Sequence, residues 1–357
     1  MKKRDFIKST FLSGLGILAF HPSFGNPKNK KNKPKSLKNW VWENPNEEED
    51  IRTLAEKYSG FYKAGIQGIF FEHDSEKHFR AAKKEGLETH RWMWIMNRGE
   101  KELLENHPEW YAVSRNGKSC ATDPPYVNYY RWLCPSKPEV QNYLKQQVQN
   151  ELEKDYIDGI HLDYIRYCDV ILPVNLWEKY GIEQTRELPE YDFCYCKTCR
   201  SKFKDEHGID PVEIEYPDQS LSWRNFRYDR ITNVVNQLAE IAGQNKKPIT
   251  AAVFPTPEVA RRIVRQDWTN WKLDGICPMI YHGFYKEPVS WIGDAVKEGV
   301  HFLNGKFPLY AGLFLPDFKS DDELKKGIET AINNGASGVS LFGRIDENVL
   351  EVLRQFK

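Results

Sequence analysis

Several things are scarce in this 357-residue chain, and each scarcity removes a class of protein. No apolar run is built to stay in a bilayer: the uncharged segment Ser9–Phe20 has only twelve residues, against the ~20 that a spanning helix needs. No Gly-rich phosphate loop follows the first strand-like run, which argues against a dinucleotide-binding open sheet, and the reading calls for no cofactor. No short-period repeat marks a solenoid. Positive charge is missing from the body of the chain: the formal net charge is zero, but residues 1–38 carry +9, so residues 39–357 sum to −9. Nucleic acid is thereby disfavoured as a partner, because its binding rests on a basic surface that neutralises phosphates. A polyanionic substrate is disfavoured more mildly.

Aromatic rings, by contrast, are abundant. Eleven Trp, 18 Tyr and 19 Phe make up 13% of the chain, and sugar-holding proteins use such rings as flat apolar platforms. Most of them must still serve as core. At 40% hydrophobic and 29% charged content, the chain can bury a large core in one barrel-type domain or two smaller ones.

The first 25 residues have the layout of an export signal: basic Lys2, Lys3 and Arg4, the apolar segment, then small residues around Ser23 and Gly25. KKRDFIK looks like a twin-arginine signal with Lys at the first arginine position. No cysteine follows the apolar segment, which disfavours a lipoprotein anchor. Residues 26–38, NPKNKKNKPKSLK, read as a polar basic linker that cannot form a core.

From residue 39 onward short β-rich runs alternate with 3.6-period segments. The strands fall at Asn39–Glu43, Gly65–Asp74, Thr89–Asn97, around Gly159–Asp163, Pro248–Pro255, Asp274–His282, Leu309–Leu315 and Gly335–Gly343. Helices are expected from Asn46, with Glu47–Asp50 in the first turn, and over Ser75–Glu85, Pro138–Lys154, Trp223–Ala242, Asp321–Asn333 and Glu347–Phe356. Eight strands alternating with helices is the pattern of a (β/α)8 TIM-type barrel over residues 39–357, with extended loops after the third and fourth strands. A doubly wound open sheet is the alternative.

The chemistry centres on Tyr156–Tyr167, YIDGIHLDYIRY. Alternate residues of a strand share a face, so Ile160 and Leu162 point one way and Gly159, His161 and Asp163 the other. A buried parallel strand normally reads as continuous hydrophobe. A His-x-Asp face near its C-terminal end therefore marks a site where barrel chemistry sits. Gly68–Glu72 repeats the frame of Gly159–Asp163 and brings Glu72 into register with Asp163. Two converging carboxylates are what glycoside hydrolysis needs, one as acid and one as base or nucleophile. Asp317, just past the seventh strand, competes for the second role, and an N-acetyl-assisted mechanism would need one protein acid only.

His161 either orients Asp163 or touches substrate. Tyr164 and Arg166, just beyond Asp163, are further candidates for binding, although Arg166 is also a possible ion-pair partner of Asp163. Trp42 and Trp94 sit at strand ends where a ring can floor a sugar subsite, while Trp40 and Trp92, two residues earlier, read as core. Tyr281 and His282 are candidates for bonding to hydroxyls or, alternatively, a buried satisfied pair. Seven cysteines leave at least one unpaired. Cys194, Cys196 and Cys199 have the spacing of a zinc knuckle if Cys168 or His207 adds a fourth ligand. A disulfide or simple packing is equally compatible, and each option is structural rather than catalytic. Cys120 and Cys134 are the other candidate disulfide.

DGIHLDYIRY resembles the fourth-strand signature of the bacterial glycosyl-hydrolase-like 10 group. HPEWYAVSRNGKS with LCPSKPEV, FCYCKTCRSKFKDEHGIDP and DGICPMIYHG are similar to other segments of such proteins. The resemblance runs from about residue 39 to the end. It implies a (β/α)8 barrel acting on a carbohydrate and carries the family's aspartate onto Asp163. The resulting expectation is an exported glycoside hydrolase, periplasmic or extracellular, with a non-catalytic carbohydrate-binding barrel as the alternative. Export is testable by itself: protein recovered from the native cell should begin near residue 26 by mass spectrometry, and an intact Met1 on cytoplasmic protein would overturn it.

Overall fold

A computed structural model describes residues 37–357. The expected export signal, and the linker up to residue 36, lie outside the described residues. Lys38 is tied to the barrel: its amide donates to Ser337 O at 2.9 Å and its ammonium lies 2.5 Å from Glu88.

Eight parallel strands form the sheet: β1 (Asn39–Glu43), β2 (Ile66–Phe71), β3 (Glu88–Trp94), β4 (Gly159–Asp163), β5 (Ile249–Val253), β6 (Gly275–Pro278), β7 (Ala311–Phe314) and β8 (Val339–Phe342). Their order is β6-β5-β4-β3-β2-β1-β8-β7. Parallel bridges Ile276–Leu309 and Met279–Gly312 join the two ends, and Tyr310 N donates to Ile276 O at 2.8 Å. The ring therefore closes into the expected barrel, and the open-sheet alternative is excluded. The helices are α1 (Ile51–Ala64), α2 (Glu76–Lys84), α3 (Lys101–Asn106), α4 (Pro138–Leu152), α5 (Trp177–Tyr180), α6 (Lys197–His207), α7 (Leu221–Gln244), α8 (Pro257–Val264), α9 (Trp291–Leu303), α10 (Asp321–Asn333) and α11 (Glu347–Arg354). Among the described residues no helix is long and apolar enough to cross a membrane.

The first helix begins later than its acidic run suggests. Asp50 is its N-cap, its carboxylate accepting from Arg52 N and Thr53 N, so Glu47–Glu49 lie in the preceding turn rather than the first helical turn. A capping carboxylate satisfies donors that the helix itself cannot, and this fixes the start at Ile51.

Alternation along the strands sorts the side chains into two cores. Outward residues such as Val41, Ile69, Ile160, Leu162 and Ile276 pack with the helices. Inward residues fill the lumen with a separate cluster of Trp40, Trp42, Phe70, Trp92, Ala252, Cys277 and Tyr310. Large rings meet glycines there: a Cβ on Gly68 would lie 2.3 Å from the Trp40 ring, one on Gly159 2.5 Å from His90, and one on Gly275 2.9 Å from Tyr310. The lumen is thus a packed core, as in barrels generally.

The loops after β3 and β4 are long and meet each other. Ser114 bridges antiparallel to Phe193, Tyr195 N donates to Val113 O at 2.7 Å, and Arg115 N to Asp192 O at 2.9 Å. Together they build a wall above the C-terminal ends of β3 and β4.

The lumen packing makes Gly159→Ala a sharp test. Its new Cβ would also lie 2.7 Å from the carbonyl oxygen of Pro248, which is backbone and cannot swing aside. Overpacking of this kind costs about 1–3 kcal/mol, so the urea midpoint should fall with little change in slope. Gly60→Ala in α1, where nothing lies within 4 Å, should instead raise it, because Ala is favoured over Gly in a helix by roughly 0.5–1 kcal/mol.

Candidate active site

A cavity of about 780 Å³ opens at the C-terminal ends of the strands, within the range of roughly 300–1,000 Å³ usual for ligand sites. Strand ends supply Trp42, Trp92, Trp94, Asp163, Ala252, Met279 and Phe342, and the loops add Glu72, Tyr130, Tyr164, Arg166, Asp169, Tyr281, Phe284 and Tyr285. Aromatic faces dominate the wall, with a few carboxylates converging among them.

Asp163 ends β4 and is partly open to the cavity. Its Oδ2 accepts from Trp92 Nε1 at 2.9 Å and its Oδ1 from the Tyr164 amide at 2.6 Å. Tyr164 holds a left-handed φ of 48°, which turns the chain sharply just past the carboxylate. Burial pushes the Asp163 pKa above the ordinary carboxylate value, against the pull of the two N–H donors and Arg166; the charge of Glu72 adds to the rise.

Glu72 continues the inward face of β2 past Phe70 and lines the same cavity. The layer beneath explains the match: Phe70 stacks on His161, ring centroids 3.7 Å apart, so the next inward residues, Glu72 and Asp163, reach the same level. Asp317 does not line the cavity; it accepts from Gly283 N at 3.0 Å. It therefore does not stand opposite Asp163.

Two histidines expected at substrate are elsewhere. His161 is fully buried one layer below the cavity, its Nδ1 2.8 Å from Thr250 Oγ1, and burial drives its pKa far down. It neither lines the cavity nor bonds to Asp163, because the strand continues two residues beyond it. His282 turns away into a short 3₁₀ segment and packs against Phe318. Tyr281 does line the cavity, and burial, with the charge of Asp163 next, holds its phenol far above its ordinary value.

Arg166 lines the cavity but its charge is engaged by Asp169 at 2.7 Å rather than by Asp163. Its guanidinium is sandwiched over Trp132, Tyr164 and Phe254 at 4.7, 5.4 and 4.9 Å, contacts that favour a cation. Trp92 is buried in the lumen core as expected, and its indole N–H also bonds to Asp163 at the cavity. Glu43 was missed. It ends β1 at the cavity, 3.0 Å from Lys57, and burial raises its pKa despite Lys57. Its position as the last residue of a strand was the available signal. Tyr130 and Tyr285 come from loops whose paths no periodicity reveals.

The cysteine pairings also differ from expectation. Cys194, Cys196 and Cys199 do converge, but the fourth thiol is that of Cys134 from the other long loop, not Cys168 or a ring nitrogen of His207. Cys120 and Cys134 are both free thiols, so that expected disulfide is absent. His207 packs on Phe203, and Cys168 Sγ lies 3.8 Å from Asp169 O.

The fold is a (β/α)8 barrel with a cavity at the C-terminal ends of its strands, and solved structures bear out the fold. The chain is similar to the PgaB (BpsB) glycoside hydrolase domain from Bordetella bronchiseptica (TM-score 0.67, 12% identity, 90% of this chain and 99% of that one). It is similar to the catalytic domain of a β-amylase from Paenibacillus polymyxa (TM-score 0.60, 11% identity, 90% and 98%). A β-galactosidase from the psychrophilic Marinomonas ef1 also matches (TM-score 0.63, 11% identity), with 89% of this chain spanning 58% of that one. No curated protein matches in sequence. Residues 76–300 match the family described as glycosyl hydrolase-like 10, and the chain belongs to that family.

The bond from Trp92 to Asp163 can be tested directly. An N–H donor stabilises the ionised carboxylate, so Trp92→Phe, which keeps a ring and deletes the donor, should move the Asp163 pKa further upward in a carboxyl-carbon NMR titration. An unchanged value would show that the indole does not hold the carboxylate.

Proposed function

We propose that this protein is a glycoside hydrolase that cleaves a poly- or oligosaccharide, with Asp163 as general acid and Glu72 as the carboxylate working opposite it. The observation that carries the reading is the setting of Asp163: a carboxyl partly open to an aromatic-walled cavity, its pKa raised by burial, with a second carboxylate lining the same space. A carboxyl group with a raised pKa keeps its proton at higher pH and can deliver it to a leaving glycosidic oxygen. Two lone-pair positions on each oxygen leave room for that proton beside the Trp92 and Tyr164 bonds. Glu72 then either activates water or attacks the anomeric carbon, depending on its separation from Asp163 across the bound sugar.

The faces of Trp42, Trp94, Tyr164 and Tyr281 offer apolar surface to the C–H faces of sugar rings. The Tyr281 hydroxyl, held protonated, is a donor for a substrate oxygen. Arg166, fixed by Asp169, shapes the wall rather than neutralising Asp163. With the N-terminal segment read as an export signal, the substrate lies outside the cytoplasm.

The test is hydrolysis of a panel of bacterial, algal and plant polysaccharides, read as new reducing ends. Asp163→Asn should cut turnover by about three orders of magnitude or more, with the fold and ligand binding retained; near-normal turnover would sink the assignment. Glu72→Gln should also fall steeply, and the wild-type pH profile should be a bell whose alkaline limb follows Asp163. Sugar binding by the wild type with no turnover on any polysaccharide would leave a carbohydrate-binding barrel instead.

A further inference from the structure

We infer that Cys134, Cys194, Cys196 and Cys199 form a tetrathiolate zinc site that fastens the two long loops together behind the cavity wall. All four sulfur atoms lie within 4.8 Å of one another, with Cys134 Sγ 3.5 Å from both Cys196 Sγ and Cys199 Sγ. A zinc–sulfur bond of about 2.3 Å in a tetrahedron gives sulfur–sulfur edges of about 3.8 Å, whereas a disulfide needs about 2.05 Å. The spacing fits a shared metal ion and no pairwise bond.

The surroundings suit the charge such a centre carries. Four thiolates around a divalent ion leave a net charge of about −2, which needs donors. Val113 N points at Cys194 Sγ at 3.4 Å, and the Ser136 hydroxyl lies 3.1 Å from Cys199 Sγ. Tyr167 is only 2% exposed, and its hydroxyl has no hydrogen-bond partner among the described residues. It lies beside Cys199, Cys134 and Cys194. Soft sulfur donors in a tetrahedral set select zinc or iron over hard cations such as magnesium or calcium. Four protein ligands leave no open position, the signature of a structural rather than a catalytic site.

The site's place gives it a purpose. Cys134 follows Trp132, whose ring packs on Arg166 and Tyr164 at the cavity, and Tyr167 directly follows Arg166. The metal would thus sit just behind the wall and hold it without touching substrate. This reading is independent of the hydrolase assignment, since either can fail alone.

Elemental analysis of the full chain, purified without a metal-affinity tag, should find one zinc per chain. A mercurial thiol reagent should release it to a metallochromic dye, and cobalt exchange should produce the thiolate charge-transfer and tetrahedral visible bands. Cys134→Ser and Cys199→Ser should lose zinc, while Cys120→Ser and Cys277→Ser, buried cysteines outside the cluster, should keep it. If the cluster variants fail to fold, metal content and the cobalt spectrum of the wild type decide. A folded metal-free chain with four alkylatable thiols, disulfides among these four cysteines, or iron in place of zinc would overturn the inference.

Discussion

The lumen packing of rings against glycines is the constraint on which the rest of this structure depends. Trp40 occupies the space that a side chain on Gly68 would need, His90 that of Gly159 and Tyr310 that of Gly275. These contacts set the height of each strand relative to its neighbours, because a ring seated over a glycine cannot slide by a residue without meeting a Cβ. Phe70 on His161 is the next tier. Glu72 and Asp163 then reach one level as a consequence of packing two tiers below them. His161 matters here as a flat, neutral filler: its depressed pKa keeps a charge out of the core directly beneath the carboxylates.

Above that tier the electrostatics are arranged so that Asp163 is held but not neutralised. The nearest cation, Arg166, spends its charge on Asp169 at 2.7 Å and its faces on three aromatic rings. A direct ion pair to Asp163 would favour its charged form and remove the reason for a proton to remain there. The two N–H groups that do contact Asp163 orient it while burial outweighs their pull. Lys57 similarly faces Glu43 at the rim, so both Arg166 and Lys57 are committed to carboxylates other than the central one.

Much of this was legible in the sequence. The strands were, because aromatic and branched residues recur in short runs between helical segments. Asp163 was, because a carboxylate in an apolar strand must be compensated. The frame shared by Gly68–Glu72 and Gly159–Asp163 carried Glu72 to the cavity, since alternation preserves the face. Depth along a face was less legible: His161 and Asp163 share one, and only packing against Phe70 and Thr250 shows that His161 stops below the cavity. Trp92 was read as core, where it is, but the bond its indole makes to Asp163 was not visible for the same reason. Cys134 was out of reach of spacing arguments because it meets its partners across 60 or more residues of chain, through a loop pairing that no local pattern encodes. The start of α1 turned on a single capping bond of Asp50.

The two long loops pose the problem of holding an irregular wall rigid beside a cavity, where backbone groups lack a continuous ladder. Three ties answer it at successive depths. Short antiparallel contacts join Val113–Arg115 to Asp192–Tyr195. Behind them Asp192, almost fully buried, accepts from Arg227 of α7 at 2.5 Å and from the Tyr195 hydroxyl at 2.7 Å. A buried ion pair adds little net stability, yet losing either partner strands a charge, so it penalises any other docking of the loop on α7. The four thiols lie on the same seam, between the segment that ends at Cys134 and the turn that opens α6. The aromatic wall carrying Trp132, Tyr164 and Arg166 is therefore fixed from behind by contacts that never enter the cavity. Cavity-facing residues of these loops can then vary without loosening the barrel that positions Asp163.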